Sequence, residues 1–537
     1  MYTQGLAALI RPAIAAPLLV MLLVMSTAAT ANPGQYIAKQ YTEALGRAPD
    51  PDGWTYYLSY LQVYGCNKST LKDVTQGFFG SPEFNSRGYD HAEKVLTVYR
   101  AVLSREPDAG GFNYWVRYLN NGNSLASMID LVFHGIDGGE LSSAKICGAL
   151  GYGWAATPPL GNTVIPAKND TGITSLGVLK STLANATPGS TVYMAQRAVF
   201  TLTETLIVKP GVTLTTVGAP PRTQYAKQAR LVRGGTFGTD ELNSTLVRLD
   251  SGAKLSSVWV SGQAPVYGYQ ASGTNVSLYS GTATSLMHSR LDNAIGWTAA
   301  VAHRYGRPCR AMLVSGNLIT GYSDDHHYEG GGGYTDGISS NCEDLTASDN
   351  DVIDASDVGI IVFAPGNPLV QRSQVRNNTV ISAGVPAFSA LMFEPQSVLA
   401  AGGATSSFAG AAIANNMFWA APDSHFDFGL MAGATPWDYP EPSVGDGAAI
   451  TGNSNAGIST PMYVGLFVDG MTNAIIAANS IQRIVPMVNY PTIGKTYINR
   501  CGVTGDMLAH AANGHASTSA IPYSAGAHHG CVGHPRP

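Results

Sequence analysis

The sequence predicts a mainly β chain wound as a parallel β-helix and preceded by a small all-α repeat unit. Three observations lead there. First, 61 glycines and 30 prolines mark many turns, and few segments beyond residue 150 hold a helical period. Second, a short pattern of alternating apolar residues, then Asn, then another apolar pair keeps returning. It reads MLVSGNLITG at Asn317, LTASDNDVIDAS at Asn350, SQVRNNTVISAG at Asn378, AAIANNMFWAAP at Asn416, AAITGNSNAG at Asn453 and AIIAANSIQRI at Asn479. The spacings of 33, 28, 38, 37 and 26 residues fit coils of about 20–25 residues carrying inserted loops. Third, an aromatic-rich helical unit occurs twice, 58 residues apart: YTEALGRAPDPDGWTYYLSYL from Tyr41 and YRAVLSREPDAGGFNYWVRYL from Tyr99.

Taken in order, residues 1–31 read as a signal peptide. Arg11 precedes the apolar run PAIAAPLLVMLLVM, and the small residues Ala29 and Ala31 predict cleavage between Ala31 and Asn32. No other segment approaches the ~20 apolar residues of a transmembrane helix, so a secreted, extracellular or cell-surface protein is expected, with the periplasm as the alternative compartment. Residues 32–149 form the helical repeat, each unit a helix, a Pro-Asp-x-x-Gly turn and a second helix; Asp50 and Asp108 are expected to cap those turns rather than bind cations. Residues 150–170, rich in Pro and Gly, read as a linker. LGVLKSTLANA, with apolar residues at 176, 179 and 183, predicts a short helix closing the first coil, since the open end of a coil stack exposes core. Residues 171–504 are the β-helix, and the Ala/Gly/His-rich 505–537, with five histidines at irregular spacing, a weakly ordered tail. Asn at each coil turn is expected to tolerate left-handed backbone and to hydrogen-bond its counterparts in the coils above and below.

Composition removes some function classes. Only 12% of residues are charged and the net charge is −5, so no basic patch exists for nucleic acid. The six cysteines suit disulfides in an exported chain, and proximity pairs Cys66 with Cys147, Cys309 with Cys342 and Cys501 with Cys531. No CxxC or HxxxH spacing calls for structural zinc.

The candidate chemistry begins at YSDDHHYEGGGGYTDGIS, residues 322–339. The gap from Asn317 to Asn350 exceeds one coil, so YSDDHHYEGGGG is expected to loop off the coil with Cys309–Cys342 at its base. Asp336 and Asp357 lie 21 residues apart, about one coil, which stacks them on neighbouring strands ~4.8 Å apart. There they repel, raising one pKa toward that of a useful acid for glycosidic hydrolysis. Asp354 is a third catalytic candidate. An elimination or epimerisation would instead use Tyr322, His326 or His327 as base, with Arg304, Arg307 or Arg310 neutralising a substrate carboxylate. Tyr328 and Tyr334 could stack on sugar rings; Glu394 and Trp419, with Asp423, make a second substrate-binding patch on later coils. No cofactor is required; calcium is the one cofactor that Asp324, Asp325 and Glu329 could hold.

Several of these motifs resemble known families. The repeated R-x-P-D-x-x-G-x-x-Y/W resembles the bacterial domain of unknown function 4214, which implies attachment or accessory packing, and hence association with the cell surface. The capping helix, PG turn and TLIVKPGVTL resemble the opening of right-handed, single-stranded parallel β-helix domains of the pectate-lyase-like carbohydrate-active superfamily. YTDGIS followed by DASDVGIIVF resembles the polygalacturonase-type glycoside hydrolases, although Val358 stands where a second Asp would be and no GHG or R-x-K follows. YSDDHH before the same coil looks like the alginate C5-epimerase and lyase pattern, with Tyr322, Asp325 and His327 matching in order once one residue is skipped. The resemblances imply a polysaccharide substrate, with hydrolysis expected ahead of elimination or epimerisation, and a non-catalytic adhesin or glycan-binding protein as the competing class.

Overall fold

Strand pairing in the computed structural model is parallel throughout and always joins one coil to the next. The structure describes residues 33–485 except 140, 149–152, 156–158, 160, 241–242, 305–306, 322–333, 365–369, 396–405, 434–444 and 469–470, together with 494–498, 504–505 and 516–517. Among these residues each coil visits three sheets in turn, of twelve, eight and twelve strands, as a right-handed parallel β-helix. Its axis is filled by one continuous apolar core running from Leu179 to Ile481. The predicted capping helix spans Leu176–Asn185 and lays Leu179 and Leu183 over the first coil.

The recurring asparagines sit between the first and second sheets and form a ladder. The side-chain Nδ2 of Asn317, Asn350, Asn378 and Asn416 each donates to Oδ1 of the next asparagine at 2.9 Å, and Asn453 to Asn479 at 2.8 Å. Each backbone N–H donates to the same oxygen at 2.9–3.0 Å. The left-handed residue is not the asparagine itself but the one before it: Gly316, Asp349, Asn377, Asn415, Gly452 and Ala478 have φ of 56–68°. The ladder asparagine is selected for its buried amide, since both its polar atoms must be satisfied inside the wall.

In the helical unit, α1 (Pro51–Tyr64) and α2 (Ala109–Asn120) begin alike. Asp50 and Asp108 accept from the N–H of Gly53 and Gly111, each at 2.8 Å, which is N-capping. A Cβ on Gly53 would lie 1.8 Å from the Tyr41 hydroxyl, and one on Gly111 2.3 Å from that of Tyr99, so the repeated glycine is a packing requirement. Arg47 over the Tyr41 ring and Arg105 over the Tyr99 ring complete the equivalence, at 5.0 and 5.1 Å.

The helical unit lies on the outer face of the second sheet, and the two share one hydrophobic cluster. Tyr36, Ile37 and Trp54 from the helices meet Trp259, Leu318, Ile353, Ile381 and Trp419 from the strands. At its centre is a buried ion network. Arg100 pairs with Glu43 at 3.0 Å, with Asp292 at 2.9 Å and with Glu106. Arg290 pairs with Glu43 at 2.6 Å and Arg230 with Glu106 at 3.0 Å. Three carboxylates answer three guanidiniums, the condition under which buried charge is tolerated.

Candidate active site

The outer face of the third sheet gathers most of the acidic chemistry. Its strands here are β1 (Thr298–His303), β2 (Asp336–Ser340), β3 (Val358–Phe363), β4 (Ala387–Glu394), β5 (Phe426–Ala432) and β6 (Thr460–Val468). Register sorts inside from outside. Ile338, Ile360, Leu391, Leu430 and Leu466 stack in one row toward the main core. The next row, Ile361, Met392, Met431 and Phe467, faces away and joins Val358, Phe388 and Phe428 in a second buried apolar cluster. Asp336, Asp357, Glu394 and Asp427 are set around this cluster.

Asp336 opens β2 and is buried. Its Oδ1 accepts from the N–H of Val358 at 3.0 Å, and its Oδ2 lies 2.7 Å from the Ser339 hydroxyl, itself 2.9 Å from Thr298 Oγ1. Asp357 sits one residue before β3, donates its N–H to the Thr335 carbonyl, and has an Oδ1 with no hydrogen-bond partner among the described residues. The two carboxylates thus meet diagonally, on adjacent coils, rather than in one rung. Burial pushes Asp336 up to about 7 against the pull of Ser339 and Val358. Burial also pushes Asp357 well above the usual carboxylate range, and the charges of Asp336, Glu394 and Asp427 push it further. The larger cause is therefore desolvation, with the expected repulsion second. Since Asp336 has two donors holding its anion, Asp357 is the one of the pair that keeps the proton.

Sequence reasoning missed Asp427, His425 and His303 here. Asp427 in β5 is buried 3.6 Å from His425, and His303 ends β1 stacked on Phe363. Burial pushes His303 down to about 4, so it is neutral at pH 7. Asp423, expected in a separate patch, lies in the turn before β5; burial raises it to about 7, and neither oxygen has a partner among the described residues. The charge of Asp354 is the neighbour that adds to this rise, so Asp423 lies toward the covered second sheet, whereas Glu394 belongs to the third-sheet face beside Asp357. The turns between second-sheet and third-sheet strands differ in length from coil to coil, so counting from the ladder asparagines could not align Asp427 with Asp357.

Other expected residues lie elsewhere. Asp354 is not catalytic material: it is fully buried against the helical unit. Its Oδ1 accepts from the N–H of Ala383, Gly384 and Val385, and its Oδ2 from Gln35 and Trp154. Burial raises its pKa, while the donors Gly384, Gln35, Val385 and Ala383 oppose the rise. Trp419 cannot bind substrate, because it is fully buried 6.3 Å from Trp54 under the helices. Arg304 and Arg310 pair with Glu343 at 3.2 and 3.6 Å instead of meeting the aspartates. Tyr334, 39% exposed, precedes β2, and its carbonyl accepts from Tyr269. Tyr322, Asp324, Asp325, His326, His327, Tyr328 and Glu329 lie outside the described residues, as do Cys501 and Cys531.

The disulfides Cys66–Cys147 and Cys309–Cys342 are both formed, with Cα atoms 5.9 and 4.9 Å apart. The second does not bracket the base of the 322–333 insertion. It joins successive turns leaving the third sheet, whereas the insertion enters that sheet from the second. Among the described residues no helix is long and apolar enough to cross a membrane, and no group of three or more His, Cys, Asp or Glu is arranged to hold a metal.

Residues 75–132 match a domain of unknown function, DUF4214, covering the second repeat unit and the segment before it. No curated protein matches the chain. Among solved structures, an alginate lyase from a Paenibacillus species is 14% identical, over 62% of this chain and 98% of its own, at a TM-score of 0.32. An exopolygalacturonase from Thermotoga maritima is 9% identical, over 57% and 83%, at 0.34. A tailspike protein of an E. coli bacteriophage, in complex with pentasaccharide, is 12% identical, over 62% and 55%, at 0.37. The fold assignment rests on the strand pairing itself.

Proposed function

We propose that the protein acts on a polysaccharide and hydrolyses its glycosidic bonds at the outer face of the third sheet. The observation that carries this is Asp357: a carboxyl kept protonated by burial and by three neighbouring carboxylates, with an oxygen that has no hydrogen-bond partner among the described residues. Such a group can protonate a leaving glycosidic oxygen at neutral pH. Asp427 is the second carboxylate. Register places it beside Phe388, which neighbours Asp357, so the two acids lie two strands or about 9.5 Å apart along the stack. That spacing leaves room for a water and predicts inversion at the anomeric carbon. Asp336 holds Asp357 in its protonated state. The two formed disulfides support an oxidising compartment, and hence export.

The test is incubation of the full chain with a glycan panel. New reducing ends without unsaturated-uronate absorbance are expected, and D357N should lower the rate at least a hundredfold. Unsaturated product would mean elimination. Full activity in D357N would sink the assignment, and retention of glycan without cleavage would make the protein a binder.

A further inference from the structure

We infer that the helical unit carries two equivalent surface rows of tyrosine that bind a glycan chain, apart from the third-sheet face. The ligand class rests on the reading of that face as a glycan site; the rows are defined without it. Trp54 and Leu61 on α1, and Phe112 and Leu119 on α2, are buried in the cluster shared with the second sheet. Tyr56 and Tyr60, and their counterparts Tyr114 and Tyr118, lie about 200° and 240° round the helix from Trp54 and Phe112, on the outer side. Tyr56 is 62% exposed and Tyr114 57%. Ring geometry repeats along with sequence. The centroids of Tyr56 and Tyr60 are 6.4 Å apart with planes inclined by 21°, and those of Tyr114 and Tyr118 are 6.4 Å apart at 22°. The partly buried Tyr57 and Trp115 brace the two rows edge-on, 5.1 Å from Tyr56 and 4.9 Å from Tyr114. Tyr64, 66% exposed, extends the row on α1.

Caps, glycines and arginine stacks account for the other repeated residues, whereas Tyr56 and Tyr114 lie outside the shared hydrophobic cluster. An exposed aromatic strip that folding does not require marks a binding surface. Its neighbours are hydrogen-bonding groups: Thr55 and Ser59 on α1, and Asn113 and Arg117 at the equivalent positions on α2, are all exposed. The strip common to both helices is two rings long. Two rings already covered by a third or more add well under ~500 Å2 of contact. That falls short of the ~800 Å2 per partner of a stable protein interface. A sugar chain needs less. Pyranose C–H faces lie on the rings, and sugar hydroxyls meet the flanking hydroxyl, amide and guanidinium groups. Two rows on one rigid unit hold one long chain at two points, which strengthens retention of a polymer over that of a short oligosaccharide.

Affinity electrophoresis of the full-length protein tests this, in gels containing hydroxyethylcellulose, xylan, galactomannan, polygalacturonate or alginate. Wild type is compared with Y56S/Y60S, Y114S/Y118S and the fourfold variant, each checked for an unchanged thermal midpoint. We expect at least one glycan to retard the wild type, each double variant to be retarded at least threefold less, and the fourfold variant at least tenfold less. Y56S and Y114S, which change only rings outside the core cluster, should each weaken retardation at least twofold and decide the matter where the larger variants unfold. Undiminished retardation of the variants would overturn the inference, as would no retardation of the wild type in any of the five gels. A dimer in sedimentation that the variants lose would also overturn it and assign the rows to a second copy of this chain. Release of reducing ends from short soluble oligosaccharides tests the third-sheet face separately. Equal release by wild type and variants supports that face whatever the rows do. Retardation that depends on the tyrosines, without any release, would refute hydrolysis and leave the rows standing.

Discussion

Replacing Asp336 by Asn should make the protein less sensitive to rising pH. Burial moves the folded pKa from 3.8 to about 7. The folded chain therefore binds this proton more tightly than the unfolded chain does. Its contribution is fully present below pH ~4 and is lost as the pH climbs to ~7, because ionisation is then easier in the unfolded state. A shift of about 3 units corresponds to about 4 kcal/mol. Asn cannot ionise, and it also removes the charge that raises Asp357. Denaturant unfolding of both proteins at several pH values from 4 to 8 gives the comparison. Wild type should lose on the order of 4 kcal/mol more than D336N across that range, and D336N should be the more stable at pH 8. Parallel curves, or a wild type that gains on D336N as pH rises, would refute the claim that burial raises this carboxyl to about 7.

Three further outcomes follow from the packing. R100M should cost about 3–5 kcal/mol in equilibrium unfolding, since Glu43, Glu106 and Asp292 would each lose a buried partner. W419A should cost a similar 3–5 kcal/mol through the cavity it leaves beside Trp54, while glycan retardation stays within about twofold of wild type in gels. N378A removes the acceptor for the Asn350 N–H and amide and the donor to Asn416, which should cost about 3 kcal/mol and be read as a lower denaturant midpoint.

The legible parts of the molecule are those in which local chemistry repeats. Asn317 to Asn479 mark the coils because each ladder position imposes the same demand on one side chain, whatever loop precedes it. The helical repeat was readable because Asp50 and Asp108 cap alike and Gly53 and Gly111 sit under equivalent tyrosine hydroxyls. The Asp336–Asp357 proximity could be counted because a single coil of fixed length separates them. The grouping of Glu394 and Asp427 with that pair could not, because loops of unequal length intervene.

Nor could charge and apolarity alone assign Asp354 and Trp419. Each looks like site material in one dimension, and each is taken up by the helical unit that covers the second sheet. The sequence by itself thus determined the coil, its repeat and the acidic character of one stretch, since these follow from backbone geometry and composition. Only the tertiary structure decided which acids share the third-sheet face and which lie under the helices. Burial and neighbouring charge depend on what packs against a residue from distant parts of the chain, and those two terms set whether an aspartate holds a proton or an interface.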